Sequence, residues 1–168
     1  SGVIDLVKTY PEVKVFSPSK IGSISVDIIS GGNNIATNLN EFEIIYAPGH
    51  TLDHIVLCDH KNNLLFVGDV LFRLGCGRVF EGTLEQMQNS LHELSNLPDR
   101  MLVYCGHEYT LNNLKFLEHI FKKNKILESV KNDIISDLDS KKRSITYNIG
   151  DEKKRHTLLT TKRELEHE

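Results

Sequence analysis

Short apolar runs separated by turn residues dominate residues 12–69, and they predict β-strands there. The run at 41–47, EFEIIYA, is rich in β-branched and aromatic residues, as strands are. Residues 54–69 predict a hairpin that turns at Lys61–Asn63. Weaker runs at 12–16 and 23–29 also predict strands. The first half of the chain is therefore expected to form a sheet.

Apolar residues change to a helical spacing at residues 82–98, where the sequence reads GTLEQMQNSLHELSNLP. Thr83 and Gln86 stand three residues apart, as in a capping box, and Pro98 ends the pattern. One face of the predicted helix carries Leu84, Met87, Leu91, Leu94 and Leu97. We expect this face to pack on the sheet.

A further strand and two helices are predicted later in the chain. MLVYC at 101–105 predicts the strand, and apolar spacing predicts helices at 110–121 and 125–138 with a break near Asn124. From about residue 139 the sequence becomes charged and polar, which predicts a loosely held tail, disordered or marginally helical. Strands followed by helices favour a layered α/β domain.

Three of the predicted strands end alike, with an apolar run, a glycine, and then a side chain that can bind a metal. If these strands share one sheet, the three side chains meet at one rim. Two imidazoles and one carboxylate suit zinc, iron or manganese. A single His or Asp after a glycine at the end of a strand is also common in ordinary turns. A metal site is favoured because three strands end in the same way. The donors are His50, Asp69 and His107, which follow Gly49, Gly68 and Gly106.

Other donor side chains in the same region are given lesser roles. His54 is expected beside the site as a packing or supporting residue. Asp59 and His60 fall in the predicted hairpin turn and are expected at the solvated surface. Cys76 and Cys105 are near the predicted site, but a cysteine nucleophile would also need a suitably placed base.

Composition and charge narrow the class of protein. The chain has 168 residues, enough for one domain, with 39% hydrophobic and 26% charged residues. A net charge of −3 and a pI near 6.2 give no electrostatic footprint for nucleic acid. No apolar run reaches transmembrane length, and three unpaired cysteines fit a reducing compartment. We expect a cytoplasmic monomer with no nucleic-acid or membrane partner. Because the sequence opens on Ser1 without Met, we also expect a fragment or a processed product.

Four segments together resemble successive motifs of one enzyme family. They are APGHTLDHI (47–55), LLFVGDVLF (64–72), GCGRVFEGT (75–83) and VYCGHEYTLNNLKF (103–116). The family is glyoxalase II, the hydroxyacylglutathione hydrolases of the metallo-β-lactamase fold, and the likeness extends to about residue 121. It implies an αβ/βα sandwich with a binuclear metal site. The implied reaction is hydrolysis of S-D-lactoylglutathione to D-lactate and glutathione, in methylglyoxal detoxification.

The resemblance also implies roles for individual residues. His50 would complete the ligands of one metal and His107 those of the other, while Asp69 would bridge both and orient the attacking hydroxide. The implied cofactor is a pair of zinc ions, although iron or manganese would suit the same ligands. Such cations lower the pKa of bound water and stabilise the oxyanion.

Three residues of the chain match family positions that contact glutathione: Arg78, Phe80 and Tyr109. The family commonly has Lys where this chain has Arg78, and Tyr where it has Phe80. Arginine keeps the charge and can bind a carboxylate with two hydrogen bonds. Phenylalanine lacks the hydroxyl, so one hydrogen bond to glutathione is expected to be missing.

The sequence departs from the family at both ends. The family motif THxHxDH, which supplies four of the seven metal ligands, is not among the 168 residues, and Ser1–Ile4 resembles the segment that follows it. We therefore expect an N-terminally truncated metallo-β-lactamase domain at 1–121. Residues 122–168 are expected to form a C-terminal helical segment and a charged, weakly ordered tail. In that tail, Lys162 or Arg163 could replace the family's basic patch.

Two classes of function follow. The chain is either the greater part of a hydrolase of S-2-hydroxyacylglutathione thioesters, or an inactive remnant or binding module of the same fold. Another metallo-β-lactamase-fold thioesterase is the alternative enzyme. An in-frame THxHxDH motif upstream of Ser1, zinc stoichiometry and hydrolysis of S-D-lactoylglutathione would separate these hypotheses.

Overall fold

A computed structural model describes residues 2–121, 125–141 and 146–155. The predicted break at Asn124 and the candidate basic residues Lys162 and Arg163 lie outside these ranges. Within them, none of the helices is long and apolar enough to cross a bilayer.

The described residues form five helices and ten strands. The helices are α1 (Gly2–Thr9), α2 (Leu84–Ser95), α3 (Thr110–Ile120), α4 (Lys125–Lys141) and α5 (Ile149–Arg155). The strands are β1 (Phe16–Ser17), β2 (Asp27–Ile28), β3 (Asn34–Ala36), β4 (Glu41–Tyr46), β5 (Ile55–Asp59), β6 (Leu64–Gly68), β7 (Leu71–Phe72), β8 (Gly75–Cys76), β9 (Leu102–Cys105) and β10 (Thr146–Asn148).

The main sheet has six strands in the order β10-β9-β6-β5-β4-β3. Only the β6–β9 pair is parallel, and the other neighbours are antiparallel. Strands β4, β6 and β9 therefore run in one direction, with β5 opposed between β4 and β6. Their carboxyl ends lie at the same edge of the sheet, together with the start of β5.

One face of the sheet packs against α2 and forms the main core, because alternate strand residues point to that face. Met87, Leu91 and Leu94 of α2 are buried there against residues such as Leu65 and Val103. Leu97 packs at the margin of this core, whereas Leu84 is 80% exposed, so the predicted apolar face is wrong at its first residue. The opposite face carries a smaller cluster and a partly exposed row of aromatic rings formed by Phe42, Phe66 and Tyr104.

The weaker strand predictions were wrong in extent. The runs at 12–16 and 23–29 provide only two-residue strands, β1 and β2, which pair in parallel. Helix α1 was not predicted, and none of its residues is buried. These short apolar runs lack strict alternation, so the number of residues that pair in each strand could not be predicted from them.

The expected loose tail was wrong for residues 146–155. Strand β10 pairs antiparallel with β9, and α5 follows directly. Tyr147, Ile149 and Glu152 are buried. Three anchoring side chains among charged neighbours give little periodic signal, which explains the error. The division of the chain near residue 121 stays a prediction.

The capping box at the start of α2 is confirmed. The amide of Gln86 donates to Oγ1 of Thr83, and the amide of Thr83 donates to Oε1 of Gln86. Replacing Thr83 with Ala should lower the free energy of unfolding by about 1 kcal/mol, because the amide of Gln86 loses the side-chain oxygen that accepts its hydrogen bond. Urea unfolding measures this. The exposed control Gln88→Ala should stay within about 0.5 kcal/mol of the parent, and equal losses would contradict the prediction.

Candidate functional site

The rim where β4, β6 and β9 end brings His50, Asp69 and His107 together. Nε2 of His50 lies 3.6 Å from Oδ2 of Asp69, and Nε2 of His107 lies 3.6 Å from Oδ1. Each imidazole thus faces a different oxygen of one carboxylate. Both distances exceed a hydrogen bond. Two donors on one tetrahedral ion with bonds near 2.0–2.1 Å would be about 3.3 Å apart, so the spacing suits a carboxylate shared between metal-binding imidazoles.

One oxygen of the Asp69 carboxylate has no hydrogen-bond partner among the described residues. Oδ1 is buried and accepts no hydrogen bond from the part of the chain that the structure describes. A buried carboxylate oxygen without a partner is costly unless a cation binds it. The residues present therefore fit a divalent metal.

The ring of His50 is oriented by the loop that follows β8. Its Nδ1 lies 2.8 Å from the carbonyl oxygen of Arg78, which assigns the proton to Nδ1 and leaves the lone pair of Nε2 directed at Asp69. Metal-binding histidines are commonly held in this way by a carbonyl. The preceding Gly49 has φ 146°, and a Cβ there would lie 2.8 Å from Cα of Met87. Glycine thus lets α2 pack close behind His50.

His107 is supported by aromatic rings. Its ring stacks on Tyr109 with centroids 5.0 Å apart, and Tyr109 contacts Phe72 edge-on at 5.0 Å. Gly106, just before His107, approaches the carboxylate closely. A Cβ at this position would lie 2.5 Å from Oδ1 of Asp69. A side chain at this position would therefore push the carboxylate of Asp69 out of its place.

His54 supports Asp69 from the start of β5. Its Nε2 accepts a hydrogen bond of 3.3 Å from the amide of Asp69. Burial, with a further contribution from the charge of His50, lowers the pKa of His54. Low basicity keeps the ring neutral and able to accept this bond. The sequence analysis had expected a supporting residue beside the site.

A cavity of about 580 Å³ opens in front of the three donors. Arg78, Phe80 and Tyr109 are exposed at its mouth, and the ring of Phe80 lies 5.0 Å from that of His50. Four other lining residues stand inside the quoted motifs but were not among the predicted site residues: Phe72, Gly77, Asn112 and Asn113.

The cysteines do not favour nucleophilic catalysis. Burial raises the pKa of Cys76, and it raises the pKa of Cys105 to about 11. Burial also raises the pKa of Cys58 to about 11. A nucleophilic cysteine needs the opposite shift.

The two metal-type side chains predicted in the hairpin turn, Asp59 and His60, differ from each other in burial. His60 is exposed, as expected. Asp59, expected at the surface, is buried, because its carboxylate accepts hydrogen bonds of 2.9 and 2.7 Å from the backbone and side chain of Asn62. The side-chain bond from Asn62 is the main cause that lowers the pKa of Asp59. Asp59 closes the turn, so its expected solvation was wrong.

The family is decided by a match over more than half of the chain. Residues 20–107 match the model of the metallo-beta-lactamase superfamily. The chain belongs to the metallo-beta-lactamase superfamily. This confirms the fold class that the motifs implied, and membership implies binding of divalent metal.

Curated superfamily relatives carry the name hydroxyacylglutathione hydrolase. One from Serratia proteamaculans is 43% identical over 76% of this chain and 51% of its own length. Another from Pectobacterium carotovorum is 37% identical over 94% of this chain and 62% of its own length. These names agree with the glyoxalase II resemblance. The chain spans 47% to 62% of the length of the curated relatives it matches.

Solved structures of other proteins share the fold. ETHE1 from Myxococcus xanthus superposes with a TM-score of 0.64 at 23% identity, covering 92% of this chain and 55% of that one. A metallo-beta-lactamase from Staphylococcus aureus gives a TM-score of 0.66 at 16% identity, covering 99% and 46%. A third protein, TTHA1623, was solved in a di-iron-bound form, with a TM-score of 0.55, 23% identity, and coverage of 63% and 62%.

Proposed function

We propose that the chain belongs to an enzyme that hydrolyses S-2-hydroxyacylglutathione thioesters, with S-D-lactoylglutathione as the expected substrate. The observation that carries the proposal is the convergence of His50, Asp69 and His107 on one cavity, with each imidazole 3.6 Å from a different oxygen of Asp69. The names of the relatives support the choice of thioester.

His50, Asp69 and His107 are the residues of this chain that would hold the metal. Two imidazoles and a carboxylate suit zinc, and they also suit iron or manganese. We propose zinc, as a pair of ions for which these three residues would provide part of the ligand set. When bound, the metal supplies a lowered pKa for water and positive charge for the oxyanion.

The side chains of this chain fix the geometry of attack. Hydrolysis forms a bond from the water oxygen to the thioester carbonyl carbon and breaks the carbon–sulfur bond. The proton lost by water ends on the departing thiolate or in solvent. The carbonyl of Arg78 keeps the proton of His50 on Nδ1, so Nε2 stays directed into the cavity. Nε2 of His54 accepts a hydrogen bond from the amide of Asp69 and so helps to hold the backbone that carries the carboxylate.

The mouth of the cavity supplies contacts for glutathione. The guanidinium of Arg78 is the charged group there, and it would pair with a glutathione carboxylate. Tyr109, held between His107 and Phe72, would present its hydroxyl to the peptide. Phe80 offers a ring face without a hydroxyl. These three assignments are part of the proposal.

The substrate role of Arg78 gives a kinetic prediction. Replacing Arg78 with Ala should raise KM for the glutathione thioester about 10-fold with a smaller change in kcat, because an exposed charged contact contributes to binding rather than to bond breaking. Arg78→Lys should retain most of the affinity. Steady-state kinetics measures both constants. Arg100→Ala is the matched control, since Arg100 bonds Asn63 away from the cavity; an equal rise in KM there would contradict the role.

The proposed function is tested on the protein expressed from its own gene. Metal content is measured by elemental analysis, and hydrolysis is followed with S-D-lactoylglutathione and with the N-acetylcysteamine thioester of the same acid. We expect at least two ions per chain and a strong preference for the glutathione thioester. Equal rates on both would favour another thioesterase of the fold. Absence of both metal and turnover would favour the inactive binding module.

The cytoplasmic location and the monomeric state stay predictions. Gel filtration of the purified protein tests the second of them.

A further inference from the structure

A second group of metal-type donors lies on the main sheet, away from the rim that carries His50, Asp69 and His107. Glu43 on β4 and Cys58 on β5 are direct cross-strand partners, and His60 follows Cys58 by two residues. Residues two apart along a strand point to the same face, so the three side chains meet. Cys58 is near the end of β5, whereas the catalytic rim adjoins its start. The two groups therefore occupy opposite ends of the same strand.

The donor atoms of this second group converge on one point. Nε2 of His60 lies 2.5 Å from Oε2 of Glu43 and 3.5 Å from Sγ of Cys58. One donor atom from each residue lies within 4.8 Å of the other two. Among the described residues, this is the one group of three or more Cys, His, Asp or Glu side chains whose donor atoms lie this close to one another.

The contacts of His60 argue against a catalytic triad. A histidine that relays a proton between a thiol and a carboxylate uses its two ring nitrogens, one for each partner. Here Nε2 contacts both Cys58 and Glu43. A single nitrogen that faces both sulfur and oxygen is instead the arrangement of three ligands around a common ion.

We propose that Glu43, Cys58 and His60 form a zinc-binding site. Sulfur, imidazole nitrogen and carboxylate oxygen are the ligand atoms that zinc accepts in proteins, and the thiolate disfavours magnesium, calcium and manganese. The ion replaces the proton of the Cys58 thiol, which passes to solvent, and it takes the Nε2 lone pair of His60. Two donors on one tetrahedral ion lie about 3.3 Å apart, so the 2.5 Å contact between Glu43 and His60 lengthens by about 0.8 Å to admit the ion.

The fourth position of the ion faces an open cavity. A space of about 740 Å³ adjoins the three ligands and is lined by polar residues of β3 and the loop that follows it, including Asn34, Thr37 and Asn40. Water occupies the fourth position in this arrangement. The ion joins β4, β5 and the start of the hairpin turn, so its role is to brace this end of the sheet. The site does not depend on the proposed hydrolase function.

Cobalt provides a readout that separates this site from the catalytic one. Co²⁺ bound to a thiolate gives a near-ultraviolet charge-transfer band, and the three catalytic donors include no sulfur. We expect one equivalent of Co²⁺ per chain to produce this band in the parent protein, and zinc should displace that cobalt. The band should persist in His107→Ala, because that change affects only the catalytic donors.

Matched cysteine variants decide which thiol binds. The band should be lost in Cys58→Ser and retained in Cys76→Ser and Cys105→Ser. Should the buried Cys58→Ser variant fail to fold, the exposed residues provide the test: His60→Ala and Glu43→Gln should each weaken cobalt binding at least about 10-fold. A band that survives Cys58→Ser, or unchanged affinity in both His60→Ala and Glu43→Gln, would overturn the proposal.

Discussion

Replacing Asp69 with Asn should lower hydrolysis and metal affinity by at least about 100-fold, since changes outside the ligand shell alone cost about 10–100-fold. Asparagine keeps the shape of the side chain but lacks the charge and one of the two metal-type oxygens. Both imidazoles at 3.6 Å would then face an amide. Elemental analysis and kcat/KM measure the two losses. Asp53→Asn is the control, because Asp53 bonds Ser19 and Thr51 in the adjacent loop and is not one of the three donors.

The same Asp69→Asn variant should respond oppositely to metal in unfolding experiments. In EDTA it should be at least as stable as the parent, because it removes a charge whose buried Oδ1 has no hydrogen-bond partner among the described residues. With excess zinc, the parent should gain more stability than the variant, which keeps only the separate Glu43–Cys58–His60 site. Thermal unfolding in both buffers measures this. A variant that is less stable than the parent in EDTA would indicate that Asp69 serves the fold and not a metal.

The largest effect on stability is expected from the ion pair between Arg73 and Asp137. Arg73, in the turn between β7 and β8, is only 4% exposed, and its Nη1 lies 2.7 Å from Oδ2 of Asp137 on α4, which is 24% exposed. Asp137→Ala should cost about 3 kcal/mol, because it takes a carboxylate from a buried guanidinium. Urea unfolding measures this. Asp139→Ala is the matched control, since Asp139 is exposed two residues along the same helix; equal losses would contradict a special role for the pair.

This ion pair connects the C-terminal helices to the turn after β7, which is flanked by residues that line the cavity of the candidate site. The amide of Leu74 donates to Oε2 of the buried Glu152 on α5 at 3.0 Å, and the side chain of Asn113 on α3 donates to the carbonyl of Arg73 at 3.0 Å. Three helices therefore hold the turn that leads from Phe72 to Arg78. We infer that the C-terminal segment serves the site through this turn, although it provides none of the three metal donors.

The convergence of His50, Asp69 and His107 could be predicted from sequence because each is marked locally. Glycine before His50, Asp69 and His107 signals a sharp turn after an apolar strand, and strand direction then places the three at one edge. The helices α2 and α4 could be predicted for the same reason, since their apolar spacing is complete within each segment. Local pattern was sufficient where the determining residues are near one another in the chain.

Contacts between distant residues could not be predicted in this way. Arg73 and Asp137 are separated by 64 positions, and nothing near Arg73 indicates that its guanidinium is buried. Strand β10 exists because it pairs with β9, more than 40 positions earlier. Glu43 was not predicted as a metal ligand, because only the pairing register of β4 and β5 brings Cys58 and His60 next to it. In each case the structure depends on a contact between residues that are far apart in the sequence.

The close approach at Gly106 has an evolutionary consequence. One added methyl group at this position would meet Oδ1 of Asp69 at 2.5 Å and displace the carboxylate, while the sheet and its α2 core would be unaffected. Glycine and alanine codons differ by a single nucleotide. A lineage with this architecture can therefore lose its chemistry in one step and still inherit a stable scaffold, free to be recruited for binding alone.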